Sequence, residues 1–228
     1  MKRRAVFLDR DGTLVHVRHY PNRPEDLVPY DGLITCLARL KAAGYALVMI
    51  TNQSGIARGL FTEEDLARMH DVLQETLRAG GAELDGVYFC PHHPEGSVTE
   101  YAIECACRKP GPGMLHAAAS DLGLDLNRSW FVGDILDDIE AGNRAGCRTV
   151  LVDLGTESAP TDPIRKPIYI APSTVYAAQL IMSVDGLGPA TDLGYAPTSW
   201  TSSQDATAVP LQGNKIRSFE SVGGDARR

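Results

Sequence analysis

Short apolar runs and amphipathic stretches alternate along most of this chain. Residues 5–8 are apolar throughout and the run stops at Asp9, a length that suits a buried strand rather than a helix. Further strand-length runs lie at 46–51, 86–90, 130–132 and 149–152. Between them, residues 32–43, 63–79, 114–122 and 137–145 place apolar side chains at helical spacing. Regular alternation of this kind predicts an α/β protein, a three-layer Rossmann-like sandwich with a central parallel sheet. Gly44, Gly123 and Gly146 stand where helices should stop, and Thr62-Glu63-Glu64-Asp65 opens one with a capping hydroxyl and acids in its first turn.

Two stretches break the rhythm. Residues 91–112 hold prolines, glycines, histidines and cysteines without a sustained period, which predicts a long loop of the kind that usually carries function. After Asp153 one more strand, 168–171, and a helix, 174–182, are expected. From about residue 185 the chain turns to Gly, Pro, Ser, Thr, Ala and Asp with no stripe. We therefore divide it into a domain at 1–183 and a disordered tail at 184–228, with no internal repeat.

Composition narrows the function. At 228 residues, 43% apolar and 22% charged, the chain is that of a globular protein with a real core. A formal charge of −7 argues against wholesale binding to nucleic acid or anionic lipid, so any phosphate must be bound locally. No run approaches the roughly 18 apolar residues of a membrane helix, and the basic start Met1-Lys2-Arg3-Arg4 lacks the apolar stretch of a signal peptide. The expected location is cytoplasmic, and the expected state a monomer.

Four segments carry candidate chemistry, each after an apolar run. Asp9-Arg10-Asp11-Gly12-Thr13 follows the first strand, and two carboxylates two residues apart can share a Mg²⁺ ion, one attacking phosphorus and the other handling a proton. An ordinary Asp-Gly turn is the competing explanation. Thr51-Asn52-Gln53-Ser54-Gly55 offers hydroxyls and amides to phosphate oxygens, and Arg108-Lys109-Pro110 offers fixed positive charge. Gly133-Asp134, with Asp138 four residues later, adds a third metal carboxylate and a fourth to support it. Separately, Cys90, His92, Cys105 and Cys107 supply three thiolates and an imidazole, a set suited to structural Zn²⁺. His93 is the rival ligand, and three unrelated thiols are the plainer alternative. Cys36 and Cys147 read as packing residues.

Taken in order, the four segments resemble the signature of the haloacid-dehalogenase-like phosphatases. The resemblance narrows on Phe7-Leu8-Asp9-Arg10-Asp11-Gly12-Thr13, Thr51-Asn52-Gln53-Ser54-Gly55-Ile56-Ala57-Arg58-Gly59, Cys90-Pro91-His92-His93-Pro94-Glu95-Gly96 and Cys105-Ala106-Cys107-Arg108-Lys109-Pro110. These look like the zinc-containing D-glycero-D-manno-heptose 1,7-bisphosphate 7-phosphatases, whose relatives include histidinol-phosphate phosphatases. The resemblance implies Asp9 as nucleophile, Asp11 as general acid then base, and Thr51 and Lys109 on the phosphoryl group. It also implies Mg²⁺ on Asp9, the Asp11 main-chain carbonyl and Asp134, no large cap domain, and a zinc-stabilised loop. Arg18, His19, Tyr20, Thr51, Asn52, Gln53, Ser54, Arg108 and Lys109 would contact a small sugar bisphosphate, Arg108 at its distal part.

One position departs from that pattern. Bacterial heptose enzymes of this type often carry lysine after the Gly-Asp pair, and this chain has Ile135, which cannot bind phosphate. The rival functions are histidinol-phosphate phosphatase or another small sugar-phosphate phosphatase, a nucleic acid 3′-phosphatase disfavoured by the acidic charge, and a catalytically silent scaffold.

Overall fold

A computed structural model of the chain describes residues 2–187. Its centre is a six-stranded sheet, parallel throughout, of β1 (Ala5–Leu8), β2 (Ala46–Asn52), β3 (Gly86–Cys90), β4 (Trp130–Gly133), β5 (Arg148–Val152) and β6 (Tyr169–Ala171). The strand order is β3-β2-β1-β4-β5-β6. Four helices connect successive strands from β1 to β5, namely α1 (Leu33–Ala42), α2 (Glu63–Ala79), α3 (Gly113–Asp121) and α4 (Leu136–Ala145), and α5 (Thr174–Val184) follows β6. The expected three-layer sandwich is what the chain forms, with every expected strand and helix present and ends displaced by two residues at most.

The four inner strands are buried on both faces, and the two-residue period of their side chains sorts them between two cores. Val6 and Leu8 of β1, Leu47 and Met49 of β2, and Trp130 and Val132 of β4 face α1, α2 and α5. Ala5 and Phe7, Val48 and Ile50, and Phe131 face α3 and α4. Thr62 begins α2 as expected: its hydroxyl accepts from Asp65 N at 3.1 Å, and the Asp65 carboxylate accepts from Thr62 N at 2.9 Å. Gly44, Gly123 and Gly146 all have positive φ, at 88°, 64° and 82°.

β1 lies between β2 and β4, so the chain leaves the middle of the sheet in both directions and opens a crevice at the carboxyl ends of the strands. Neither residues 14–31 nor residues 52–108 hold an inserted domain. The first interval contains only a 3₁₀ turn at Pro24–Asp26, and the second contains α2, β3 and the long loop.

The carboxyl end of α5 runs slightly past the expected boundary and is tied down. Asp185 accepts hydrogen bonds from the Tyr45 hydroxyl, from Trp130 Nε1 at 3.1 Å and from Arg148 at 2.8 and 3.0 Å. The rest of the expected tail, from residue 188 onward, lies outside the described residues. Among the described residues, no helix is long and apolar enough to cross a membrane.

Candidate active site

The carboxyl end of β1 delivers Asp9 into the crevice, where it is 7% exposed and its amide bonds Val132 O at 3.0 Å. The chain then turns tightly, with Leu14 N and Val15 N both bonded to Arg10 O at 2.9 Å. Gly12 makes the turn possible on two counts. Its φ is +85°, and a Cβ there would collide with the Asp134 carboxylate. Asp134, just after β4, is held by the Thr13 hydroxyl at 3.1 Å.

Lys109 comes from the long loop and is 2% exposed. Its ammonium lies 2.6 Å from Asp9 Oδ1, 2.6 Å from Asp138 Oδ1 and 3.1 Å from Ile50 O. Burial alone would push that ammonium down, but the carboxylates of Asp138 and Asp9 outweigh it, and the pKa stands above its ordinary value. Asn52 fixes the Lys109 main chain from both sides, accepting from its amide at 3.0 Å and donating to its carbonyl at 3.1 Å. Thr51, 1% exposed at the end of β2, accepts from Gln53 Nε2 at 2.8 Å.

Asp9, Asp134 and Asp138 bring carboxylate oxygens within 4.8 Å of one another. Asp134 is pushed up to about 8, first by burial and then by the negative charge of Asp9 and Asp138. One ammonium cannot balance three clustered carboxylates, and hard oxygen donors in surplus negative charge suit Mg²⁺. The Asp11 side chain stands apart from this group. Its Oδ2 accepts from Arg10 Nε at 3.1 Å, Arg10 Nη2 at 2.8 Å and Gln53 Nε2 at 3.3 Å. Its Oδ1 is buried with no hydrogen-bond partner, and burial raises the carboxyl pKa despite the Arg10 charge.

Arg18, His19, Tyr20, Asn52, Gln53 and Ser54 line one cavity of about 200 Å³ together with Arg10 and Asp11. Tyr20 sits at φ +48°, an uncommon conformation for a side-chain-bearing residue, and its ring meets His19 edge to face at 4.6 Å between centroids. Arg108 does not line this cavity; its guanidinium donates to His92 O at 3.3 Å.

Beyond the cavity, Cys90, His92, Cys105 and Cys107 converge. The three sulfurs are 3.2 to 3.5 Å apart, and His92 Nδ1 is 3.4 Å from Cys107 and 3.7 Å from Cys90. Tetrahedral bonds of about 2.3 Å to sulfur and about 2.0 Å to nitrogen give edges of roughly 3.5 to 3.8 Å, so this set can hold zinc. His93 turns away, its Nδ1 accepting from Glu95 N at 3.1 Å and its Nε2 facing Arg58 at 3.3 Å. β3 ends in Cys90, whose carbonyl accepts from Gln53 N at 2.8 Å, and Lys109 follows Cys107 by two residues. The cysteine cluster is thereby tied to both the Thr51 loop and the lysine.

Arg10 and His70 were not legible in the sequence as site residues. Arg10 is fully buried, and His70 reaches it from α2. An arginine between two aspartates and a histidine on an amphipathic helix carry no signal at the level of one sequence.

A family model described as "HAD-hyrolase-like" matches residues 106–177. The D-glycero-beta-D-manno-heptose-1,7-bisphosphate 7-phosphatase of Yersinia pestis is 48% identical over 153 residues, covering 66% of this chain and 81% of that one. The D-glycero-alpha-D-manno-heptose-1,7-bisphosphate 7-phosphatase of Burkholderia mallei is 45% identical over 152 residues, covering 67% and 80%. The crystal structure of D,D-heptose 1.7-bisphosphate phosphatase from B. bronchiseptica, complexed with magnesium and phosphate, is also similar, with a TM-score of 0.67 at 31% identity. That match covers 79% of this chain and 99% of that one. With this fold, this ordered set of site residues and this degree of identity, the chain belongs to the heptose-1,7-bisphosphate 7-phosphatase family of haloacid-dehalogenase-like hydrolases.

Proposed function

We propose that the chain hydrolyses the C7 phosphate of a D-glycero-D-manno-heptose 1,7-bisphosphate in a Mg²⁺-dependent reaction. The observation that carries this reading is the buried contact of Lys109 with Asp9, 2.6 Å, beside an Asp11 carboxyl with one free oxygen. Asp9 attacks phosphorus and forms an aspartyl phosphate as the bond to the sugar oxygen breaks. Asp11 gives its proton to the departing oxygen and then takes one from the water that hydrolyses the intermediate. Lys109 and the Thr51 hydroxyl stabilise the transferring phosphoryl group. Asp9 and Asp134, with the Asp11 main-chain carbonyl, would hold Mg²⁺, which supplies charge neutralisation for a dianion approaching these carboxylates.

The rest of the substrate occupies the cavity lined by Arg18, His19, Tyr20, Asn52, Gln53 and Ser54. Asp11 is the one carboxylate in that lining and is paired with the buried Arg10, which leaves Arg18 as the cation facing the cavity and suits a second phosphate better than the amine of histidinol phosphate. Arg108 completes the distal end from outside the present lining. Cys90, His92, Cys105 and Cys107 would hold zinc, and that bond set would brace the loop that carries Lys109. Such an enzyme would work as a cytoplasmic monomer and bind neither nucleic acid nor membrane.

Relatives named for the beta and the alpha anomer match at 48% and 45% identity, so the test includes both. Phosphate release with Mg²⁺ is measured on the two heptose 1,7-bisphosphate anomers, histidinol phosphate, fructose 1,6-bisphosphate and a phosphorylated oligonucleotide. A kcat/KM about 100-fold higher for one heptose anomer than for the other compounds supports the reading. Equal, slow turnover of all of them overturns the substrate, and no turnover of any overturns the enzyme.

A further inference from the structure

Arg10 is fully buried, and burying a guanidinium is costly unless its charge is paired and its N–H groups bonded. Both requirements are met by two residues, the Asp11 carboxylate and His70 of α2. Arg10 Nε and Nη2 hold Asp11 Oδ2 at 3.1 and 2.8 Å, and Arg10 Nη1 lies 3.2 Å from Nε2 of His70. An arginine only donates, so His70 Nε2 must be the acceptor and the proton of the neutral ring must sit on Nδ1. His70 is itself buried, on the inner face of α2, where its ring packs edge to face near Phe89 at 6.3 Å between centroids.

We propose that Arg10 and His70 are positioning residues for the proton transfer made by Asp11, an inference that rests on the phosphatase reading above. His70 orients the guanidinium, the guanidinium clamps Oδ2, and Oδ1, buried and without a hydrogen-bond partner, is left as the oxygen that carries the proton for the leaving group. Two adjacent N–H bonds to one oxygen restrict rotation of the carboxyl group, which a single contact from Gln53 at 3.3 Å would not. The device reaches the reacting atoms only through Asp11, so its loss should affect the step that needs a proton and spare the one that does not.

The experiment compares kcat/KM on a primary alkyl phosphate, whose leaving group must be protonated, with that on p-nitrophenyl phosphate, whose leaving group departs as an anion. The variants are His70→Leu, which has no acceptor, and His70→Gln, which restores one. His70→Met supplies the same comparison if the leucine variant does not fold. The leucine variant is expected to lose about tenfold or more on the alkyl phosphate and about threefold or less on the aryl phosphate, with most of the loss recovered by glutamine. Equal losses on both substrates, or no difference between leucine and glutamine, would overturn the proposal. Wild-type protein that hydrolyses neither substrate instead overturns the phosphatase reading on which it rests.

Discussion

Lys109 Nζ and Asp9 Oδ1 are 2.6 Å apart although a hundred residues separate them along the chain. The contact exists because β2 pairs beside β1, so the Thr51 loop and the Lys109 loop both reach the carboxyl end of the central strand. Asp138 approaches the same ammonium from the first turn of α4, leaving Lys109 between two carboxylates.

Replacing Lys109 by Met should therefore lower kcat/KM by about 10²–10³ on any phosphate monoester, the usual loss for one preorganised donor to a transition-state oxyanion. Asp138→Leu leaves the lysine paired with Asp9 and relieves part of the surplus negative charge, so its stability cost should stay below the roughly 3–5 kcal/mol of a buried charge left without a partner. Steady-state kinetics and urea unfolding measure the two effects separately. A Lys109→Met protein with near-wild-type turnover would remove the lysine from the mechanism.

Loss of the thiolate cluster should act on catalysis through that lysine. Cys107→Ala removes a candidate zinc ligand two residues before Lys109. Metal analysis is expected to find one zinc per wild-type chain and little in the variant. The variant's activity should fall about tenfold or more, the range seen when support around a site is lost. Excess Mg²⁺ should not restore it. Full activity in zinc-free protein would separate the cluster from the active site.

His70 gives stability a pH dependence of known sign. Burial first, and then the Arg10 charge, depress its pKa from 6.5 to about 3. The unfolded chain therefore binds a proton below about pH 6.5 that the folded one refuses until about pH 3. Its contribution is fully present above pH 6.5 and is lost as the pH falls towards 3, for a total on the order of 5 kcal/mol. Denaturant unfolding between pH 7 and pH 4.5 should show a steeper loss for wild type than for His70→Gln. Parallel slopes would contradict the assignment of a buried neutral imidazole.

Asp185 should matter for folding and not for turnover. It accepts from Tyr45, Trp130 and Arg148 at the end of the sheet opposite the crevice, and its side chain is only 8% exposed. Asp185→Ala should cost about 3 kcal/mol, because it strands a guanidinium, an indole N–H and a hydroxyl. Thermal unfolding checks this, with kcat/KM expected to stay at the wild-type value.

Residue type and spacing encode the order of elements and the chemistry of the crevice. Strand and helix periods are local properties of the backbone, so β1, β2 and α2 could be read from which positions are apolar. The acidic turn after β1, the Thr51 loop and the cysteine-rich loop were legible because residue type and spacing there are set by chemistry. Which of these groups touch follows from the packing of whole elements. The sheet order placed Lys109 on Asp9, and the packing of α2 carried His70 to Arg10 across sixty residues. It also turned the Asp11 carboxyl away from the other acids and gave Asn52 to the Lys109 main chain rather than to the cavity alone. Such contacts depend on where whole elements pack, and no periodicity within one element encodes its distance from another.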